Sequence, residues 1–362
     1  MKRQIFVIAA VLLSTITVAV ICTAGFFLVE RPSYRLLGSL RHVRFVRAYL
    51  FDRKVRRLAR ALQDSDPRTD VFKTIWDSNV GVLLSRQMFL ELEMDGVQKY
   101  AYRPDLHKLS FATGIGDLEW RMETVDTPAM REALAGLNTT FLVTASYDGS
   151  GFRHVAPELS TDCRVHVLFL GDSFTDGLWV SDEDTFVNVY GKLARTRATA
   201  KVCPVNAGVN GYGSFEERFA LEHDFDRAGR PSVVFVMYFP NDVDQDSEGV
   251  VRGTVRDEDR LWQASLTELH RIREFAEAHR SALVIAAIPP AEQLFDRVPR
   301  THYQDVLRAF ATREGIRFVD LYDGLAAGDP HQLYWSWDPH LTPAGHRVVA
   351  GLLYEATKDL LQ

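Results

Sequence analysis

Several features that would assign a function at once are missing from this sequence. Its 362 residues carry a formal net charge of only −6, so no basic surplus indicates a nucleic-acid partner. No internal repeat, low-complexity tract or heptad array occurs. With 46% hydrophobic and 25% charged residues, the composition is typical of a globular protein with one large domain or two smaller ones. Function therefore has to be sought in local motifs.

Cysteine is scarce, since the chain contains only Cys22, Cys163 and Cys203. Cys163 and Cys203 could pair if their strands are neighbours, and buried free thiols fit the sequence as well. The sequence alone leaves these two alternatives open.

Motifs for metal ions and cofactors are also missing. The histidines near the C-terminus, His331, His340 and His346, have neither the spacing of a zinc site nor a cysteine among them. The aspartates at 242, 244 and 246 begin like a calcium loop, but Ser247 stands where that loop needs glycine. No Gly-x-Gly-x-x-Gly motif for a nucleotide follows the apolar run 165–170. We expect no metal and no other cofactor.

One long hydrophobic run is present, at the N-terminus. After Lys2 and Arg3, residues 5–29 contain no charged side chain. At about 1.5 Å per residue, a helix of this length crosses the core of a bilayer. A cleaved signal peptide usually has an apolar region of only about 7–15 residues. We therefore predict an uncleaved transmembrane anchor at 1–30, with the membrane as a partner.

The next segment, 31–63, is predicted to be a basic amphipathic helix beside the membrane. Ten Lys or Arg residues and one acid, Asp52, lie between Arg31 and Arg60. Basic residues next to an anchor favour the cytoplasmic side, whereas an amphipathic helix of this composition also binds anionic lipid on the other side. A solvated helix packed on its own domain fits the charge pattern equally well.

The remaining chain divides at about residue 150. Residues 64–150 are predicted to form a small mixed α/β lead-in region without a chemistry of its own, with a helix within 71–92 and strands at 118–125 and 140–146. Residues 151–362 are predicted to form an α/β domain around a flavodoxin-like, doubly wound parallel sheet of about five strands. Continuous apolar runs there alternate with amphipathic segments, which is typical of a sheet covered on both faces.

The elements of this second domain can be placed individually. The last helix has Thr342 at its N-cap position and Pro343 at its first position. The strands are predicted at 165–170, 202–205, 233–239, 283–288 and 318–321, and the other helices at 185–196, 214–227, 259–279 and 303–314.

Polar motifs follow several of these strands. Ser173 stands in a Gly-Asp-Ser turn after the first strand, Gly211 in a glycine-rich turn after the second, and Asn241 after the third. Asp338 and His340 follow the fifth. Because the carboxyl ends of parallel strands share one edge of the sheet, these residues are expected to meet there.

Together these residues suit acyl transfer. A serine hydroxyl is a weak nucleophile that needs a base, for which His340 is the candidate, with Asp338 to hold its tautomer. The backbone N–H groups of Ser173 and Gly211 and the side-chain amide of Asn241 would bind the oxyanion. Ser173 is also expected to begin a helix, whose N-terminus favours negative charge. Each signal is weak alone, and their shared sheet edge favours catalysis.

The same residues resemble the SGNH/GDSL hydrolase family over about residues 150–360. Gly171-Asp172-Ser173 is similar to its first block, and Gly211, Asn241 and His340 match the named residues of its other blocks. The last block usually reads Asp-x-x-His, whereas this chain has Asp-x-His, as in related alginate-acetylating proteins. Either the Asp338 carboxylate or a backbone carbonyl could then orient His340. Thr175 in place of the second glycine of Gly-x-Ser-x-Gly argues against the α/β-hydrolase fold.

The resemblance implies a serine esterase acting on acyl esters, above all acetyl esters of a carbohydrate or exopolysaccharide. The same residues would serve a polysaccharide O-acetyltransferase, and a non-catalytic, membrane-tethered glycan-binding or assembly protein is a further alternative. Anchored bacterial members are often linked to extracytoplasmic polysaccharide modification, which favours a periplasmic catalytic domain. Candidate substrate contacts are Asp172, Tyr212, Trp335 and Trp337, of which the tryptophans either stack on a sugar or pack the loop.

Overall fold

The computed structural model describes residues 88–115, 118–135, 139–156, 162–243, 258–295 and 302–362, which all belong to one compact unit, Ser65–Gln362. The predicted anchor at 1–30 and the predicted basic helix at 31–63 lie outside the described residues. Among the residues that are described, no helix is both long enough and apolar enough to span a bilayer.

The lead-in region contains a hairpin, a three-stranded antiparallel sheet and one helix. The hairpin pairs β1 (Phe89–Met94) with β2 (Val97–Tyr102). The sheet contains β3 (His107–Ile115), β4 (Leu118–Val125) and β5 (Thr139–Ser146) in the order β4-β3-β5, and α1 covers Pro128–Ala135. We call β1 to β5 the accessory strands. The strands predicted at 118–125 and 140–146 are confirmed.

The predicted helix at 71–92 is wrong at its C-terminal end, where Phe89–Met94 is a strand. Leucine and glutamate alternate there, which is the period of a strand rather than of a helix. Asp95 and Gly96 both have positive φ and form the tight turn that returns the chain against β1. Residues 71–87 lie outside the described part of the chain.

Five parallel strands form the central sheet, so the predicted α/β class and five-stranded parallel sheet are confirmed. They are β6 (Val165–Gly171), β7 (Val202–Asn206), β8 (Val233–Tyr238), β9 (Ala282–Ala287) and β10 (Arg317–Asp320). Their order is β10-β9-β8-β6-β7, which is the flavodoxin-like order. The chain therefore reverses its winding between β6 and β8, and ligands bind at such a switch point.

Helices and short turns connect these strands. The helices are α2 (Ser173–Asp176), α3 (Phe186–Arg197), α4 (Ser214–Asp224), α5 (Glu258–Ala278), α6 (Ala291–Phe295), α7 (His302–Glu314), α8 (Tyr322–Ala326), α9 (Pro330–Leu333) and α10 (Pro343–Thr357), with 3₁₀ turns at Asp182–Asp184, Pro240–Asp242 and Lys358–Leu360. The predicted start of the last helix is confirmed, since Thr342 Oγ1 accepts a hydrogen bond from Gly345 N at 3.2 Å. Such a cap contributes about 1 kcal/mol.

Two hydrophobic cores lie on the two faces of the central sheet, because side chains alternate along each strand. Leu168 and Val234 face one core, which α4, α5 and α7 cover. Phe169 and Phe235 face the other, where their rings stack at 4.5 Å and α3 and α10 complete the packing. Burial on both faces explains why the strands are continuous apolar runs in the sequence.

Cys163 and Cys203 form a disulfide, which decides between the two alternatives that the sequence left open. Cys203 is fully buried in β7, and Cys163 lies just before β6, the neighbouring strand. The two cysteines are 40 positions apart in the chain. Closing a loop of this size restricts the unfolded chain and so stabilises the folded one.

The double variant Cys163→Ser/Cys203→Ser should lose about 2–4 kcal/mol of the free energy of unfolding, as urea unfolding would measure. Reduced wild-type protein should unfold like this variant. When thiols are blocked at cell lysis, only one of the three cysteines should react before reduction. Reaction of Cys163 and Cys203 at lysis, or identical unfolding of oxidised and reduced protein, would contradict a stabilising disulfide.

Candidate active site

Ser173 stands at the carboxyl end of β6, on a tight turn into α2. The turn needs glycine at 171, since a Cβ there would lie 2.1 Å from Thr175 Oγ1. Asp172 supports the turn by accepting a hydrogen bond from Phe174 N at 2.8 Å. The helix that follows has only four residues, so the helix-dipole contribution that the sequence suggested is small.

His340 and Asp338 lie beside Ser173, so the structure brings together residues from distant parts of the domain. Ser173 Oγ is 2.7 Å from His340 Nε2, and His340 Nδ1 is 2.5 Å from Asp338 Oδ1. The carboxylate favours the tautomer with the proton on Nδ1, which leaves Nε2 free to take a proton from the serine. This arrangement can activate Ser173 as a nucleophile.

A short closed loop accommodates the Asp-x-His spacing. Tyr334 and Leu341 form an isolated β-bridge, and Trp335 N donates to His340 O at 3.0 Å. Within this loop, Asp338 Oδ1 accepts a hydrogen bond from His340 N at 3.1 Å and also contacts the imidazole. The Asp338 carboxylate, rather than a backbone carbonyl, is therefore the partner of Nδ1.

The charge of Asp338 is favoured by its neighbours. Burial by itself would raise the pKa of this carboxyl, but the hydrogen bonds and charge of His340 outweigh burial, and the pKa is lowered. The indole N–H of Trp179 also helps to lower the pKa of Asp338, although this N–H makes no hydrogen bond of normal length and angle. Trp179 is buried and has a φ of +69°, which bulky residues rarely adopt. Such backbone strain close to the residues Ser173, His340 and Asp338 indicates that the position of the Trp179 indole contributes to the function of the site.

The predicted oxyanion donors lie at the carboxyl ends of β6, β7 and β8. Gly211 is exposed in the turn after β7, and Asn241 lies in the 3₁₀ turn after β8. The amide of Asn241 donates to Asp172 Oδ2 at 3.0 Å. This bond fixes the side chain and leaves the second hydrogen of the amide for a substrate oxygen.

Two candidate substrate contacts are placed differently from the prediction. Asp172 is fully buried; burial raises its pKa, which the hydrogen bonds from Phe174 and Asn241 and the charge of His340 partly offset. Tyr212 is also buried, and its hydroxyl donates to Tyr100 O at 2.6 Å. Because both side chains are buried, neither is exposed to contact a substrate.

Trp335 and Trp337 belong to a group of four aromatic residues that we call the aromatic cluster: Phe141, Trp179, Trp335 and Trp337. The ring of Phe141, in β5, lies 5.3 Å from that of Trp335 and 5.5 Å from that of Trp337. Trp179 lies 5.3 Å from Trp337. The two loop tryptophans thus pack on other rings and stay partly exposed. The sequence offered no local signal for Phe141, which lies on a strand outside the catalytic motifs.

The other histidines near the C-terminus lie apart from this site. His346 accepts a hydrogen bond from Phe186 N at the start of α3 at 3.0 Å, and burial lowers its pKa to about 3. The exposed His331 packs against Phe295 at 4.7 Å. Within the described ranges, no three acidic, histidine or cysteine side chains are grouped to hold a metal ion.

Asp338→Asn should slow the labelling of Ser173 by a fluorophosphonate about 10²–10⁴-fold, because an amide favours the wrong imidazole tautomer. Trp179→Phe keeps an aromatic ring but removes the N–H, and it should slow labelling about 2–10-fold. Rates are measured by mass spectrometry at neutral pH. Trp262→Phe is the control, since this buried tryptophan stacks on Tyr238 instead. Labelling of Asp338→Asn at the wild-type rate would show that the Asp338 carboxylate does not contribute to the activation of Ser173.

A family model covers this site. The GDSL-like Lipase/Acylhydrolase family matches residues 169–348, which begin in β6 and include the serine, both oxyanion residues and the Asp-x-His loop. No match was found among curated proteins.

Several solved structures are similar to the chain at low identity. The crystal structure of TesA has 18% identity and a TM-score of 0.44, covering 54% of this chain and 99% of its own. A GDSL-like lipase from Bacteroides thetaiotaomicron has 18% identity and a TM-score of 0.37, covering 54% and 88%. A mutant acetyl-xylooligosaccharide esterase from Geobacillus has 20% identity and a TM-score of 0.41, covering 55% and 96%. Structural similarity at these identities and TM-scores says nothing about the substrate of this chain.

The match over residues 169–348 coincides with an activated serine at the switch point of the sheet. The chain therefore belongs to the SGNH/GDSL family of GDSL-like lipases and acylhydrolases, and it is a serine ester hydrolase.

Proposed function

We propose that the protein is an esterase that removes acyl groups, above all acetyl groups, from a carbohydrate or exopolysaccharide. The observation that carries this proposal is the chain of contacts from Ser173 through His340 to Asp338, at 2.7 Å and 2.5 Å. A serine becomes a useful nucleophile when a base within hydrogen-bond reach is itself oriented by a third group.

The reaction has two halves. Ser173 Oγ attacks the ester carbonyl carbon while His340 Nε2 takes the hydroxyl proton. The tetrahedral intermediate collapses, the bond to the leaving alcohol breaks, and His340 returns the proton to that alcohol. Water then attacks the acyl-enzyme and gives a proton to His340. A second collapse releases the carboxylic acid, and His340 returns this proton to Ser173.

The negative charge of each tetrahedral intermediate needs donors that are already in place. The N–H groups of Ser173 and Gly211 and the free hydrogen of the Asn241 amide supply them. Asp172 contributes indirectly, because its hydrogen bond at 3.0 Å keeps the Asn241 side chain in one orientation.

The carbohydrate part of the proposal is supported by the aromatic cluster. Trp335 and Trp337 precede His340 in the same loop and remain partly exposed. Aromatic side chains offer a flat apolar face on which a sugar ring can stack. The acetyl group is proposed from the resemblance to anchored bacterial members that modify polysaccharides.

We also propose that the catalytic domain lies outside the cytoplasm, in the periplasm, tethered by the segment at 1–30. The Cys163–Cys203 disulfide supports this location, because disulfides persist in the periplasm and are rare in the reducing cytosol. Free thiols at both positions in protein trapped at lysis would contradict it.

Ser173→Ala in the full-length protein should lower the hydrolysis of a chromogenic acetyl ester by at least about 10³-fold, because the nucleophile is lost. Hydrolysis is followed by absorbance, with detergent present. Ser232→Ala is the matched control: this exposed serine lies at the amino end of β8, on the opposite edge of the sheet, and the variant should keep wild-type activity.

Acceptor oligosaccharides added to the same assay distinguish hydrolysis from transfer. Release of acetate without labelled acceptor would support the esterase. Acetyl mass appearing on an acceptor, dependent on Ser173, would make the protein an O-acetyltransferase with the same residues. Equal rates in folded wild type and Ser173→Ala, with no fluorophosphonate labelling, would instead favour a glycan-binding or assembly protein.

A further inference from the structure

A side chain from the accessory strands holds the peptide bond between Asn210 and Gly211. Tyr100, in β2, donates its hydroxyl to Asn210 O at 2.7 Å. This oxygen belongs to the same planar unit as the N–H of Gly211, and in a trans peptide the two groups point in opposite directions. Tyr100 therefore fixes the direction of the N–H that the oxyanion needs.

Glycine at 211 makes this contact feasible. A Cβ at this position would lie 2.9 Å from the Tyr100 hydroxyl oxygen, which is closer than real Cβ atoms approach. The backbone of Gly211 also has a φ of +75°, a region that glycine enters without steric cost. The family's glycine thus serves two purposes here, since it leaves room for the substrate and for Tyr100.

The side chain of Asn210 is held from the accessory strands as well. Its Nδ2 donates to Glu123 Oε2, in β4, at 2.6 Å. The other oxygen of Glu123 lies 2.7 Å from Lys108 Nζ, in β3, and accepts a hydrogen bond from Ser110 at 3.2 Å. Asn210 is therefore fixed at its backbone and at its side chain by two different parts of the lead-in region.

The same lysine reaches the nucleophile turn. Lys108 Nζ lies 2.8 Å from Asp176 Oδ2, and Asp176 is the last residue of the short helix that begins with Ser173. Tyr147 donates to the other oxygen of Asp176 at 2.6 Å. The Lys108 ammonium thus contacts two carboxylates. Asp176 lies in the short helix that begins with Ser173, and Glu123 binds the side chain of Asn210, next to Gly211.

This ammonium is fully buried. Removing a charge from water is costly, and an ion pair in the interior often does no more than offset that cost. Net stability is therefore a weak explanation for Lys108. A fixed distance between two catalytic turns is a stronger one, because two carboxylates on one ammonium cannot move independently.

We propose that the accessory strands are part of the catalytic apparatus, in which Tyr100 and the Lys108–Glu123 pair are positioning residues that hold the Gly211 N–H toward the acyl oxygen, in register with Ser173. The inference rests on the proposed function, because it concerns the same site. It gives the lead-in region a role in stabilising the transition state, where the sequence had predicted no chemistry.

Tyr100→Phe in the full-length protein tests this role, because it removes the hydroxyl and keeps the ring that packs against Phe89 at 4.7 Å. We expect kcat for the acetyl ester to fall about 5–20-fold, which is less than the loss of a whole oxyanion donor. KM should stay within about twofold, since the oxyanion forms only in the transition state.

Tyr190→Phe is the matched control. Tyr190 is a fully buried tyrosine, and its hydroxyl is 3.0 Å from Thr357 Oγ1, in α10. Both variants lose one tyrosine hydrogen bond, but only Tyr100→Phe should lower kcat. We define kcat per fluorophosphonate-titrated Ser173, so that partial unfolding, which reduces the number of sites, does not lower the value.

Asn210→Ala provides a second test, because it cuts the link to Glu123 and leaves the buried ion pairs intact. It should also lower kcat per site with little change in KM. Since both changes act on one peptide unit, the double variant Tyr100→Phe/Asn210→Ala should lose less than the product of the two single effects.

The outcomes separate this inference from the proposed function. Hydrolysis that depends on Ser173 but proceeds at the wild-type kcat in Tyr100→Phe and in Asn210→Ala would overturn the inference alone. An equal loss of kcat in Tyr190→Phe would also overturn it. Hydrolysis that does not depend on Ser173 would overturn the proposed function.

Discussion

The ion pair between Lys108 and Asp176 is the contact on which the catalytic geometry depends. Both side chains are fully buried, and their charged atoms are 2.8 Å apart. Burial by itself would raise the pKa of Asp176, but Lys108 and Arg153 outweigh it and lower the pKa, so the carboxyl stays ionised. Breaking such a pair leaves a buried charge without a partner, which costs about 3–5 kcal/mol. The accessory strands and the serine turn are therefore coupled.

Arg153 extends this coupling along the chain after the nucleophile. Its buried guanidinium donates to Asp176 O at 2.7 Å, to Gly177 O at 3.0 Å and to Val180 O at 2.6 Å. Its backbone N–H bonds to Asn206 O, at the end of β7, at 3.0 Å. The central sheet brings the catalytic motifs to one edge, and Tyr100 and Lys108 of the accessory strands, together with Arg153, then fix their relative positions. The site thus depends on the accessory strands as well as on the central sheet.

The sequence predicted the features that depend on local pattern. Apolar runs marked the parallel strands because both sheet faces are buried, and the motifs around Ser173 and His340 could be recognised from their neighbours in sequence. Burial at a turn could not be predicted in this way, so Asp172 was taken for a substrate contact. Tyr100 and Lys108 were missed because they act through partners about 70 to 110 positions away. Only the folded chain shows such contacts.

A crystal structure of the full-length protein with Ser173 phosphonylated would test the account most directly, because the phosphonyl oxygen stands in for the oxyanion. We expect this oxygen at about 2.7–3.1 Å from Gly211 N and from Asn241 Nδ2, with Tyr100 still donating to Asn210 O. An adduct whose oxygen faces solvent, with the Gly211 N–H turned away while Tyr100 keeps its hydrogen bond, would contradict it.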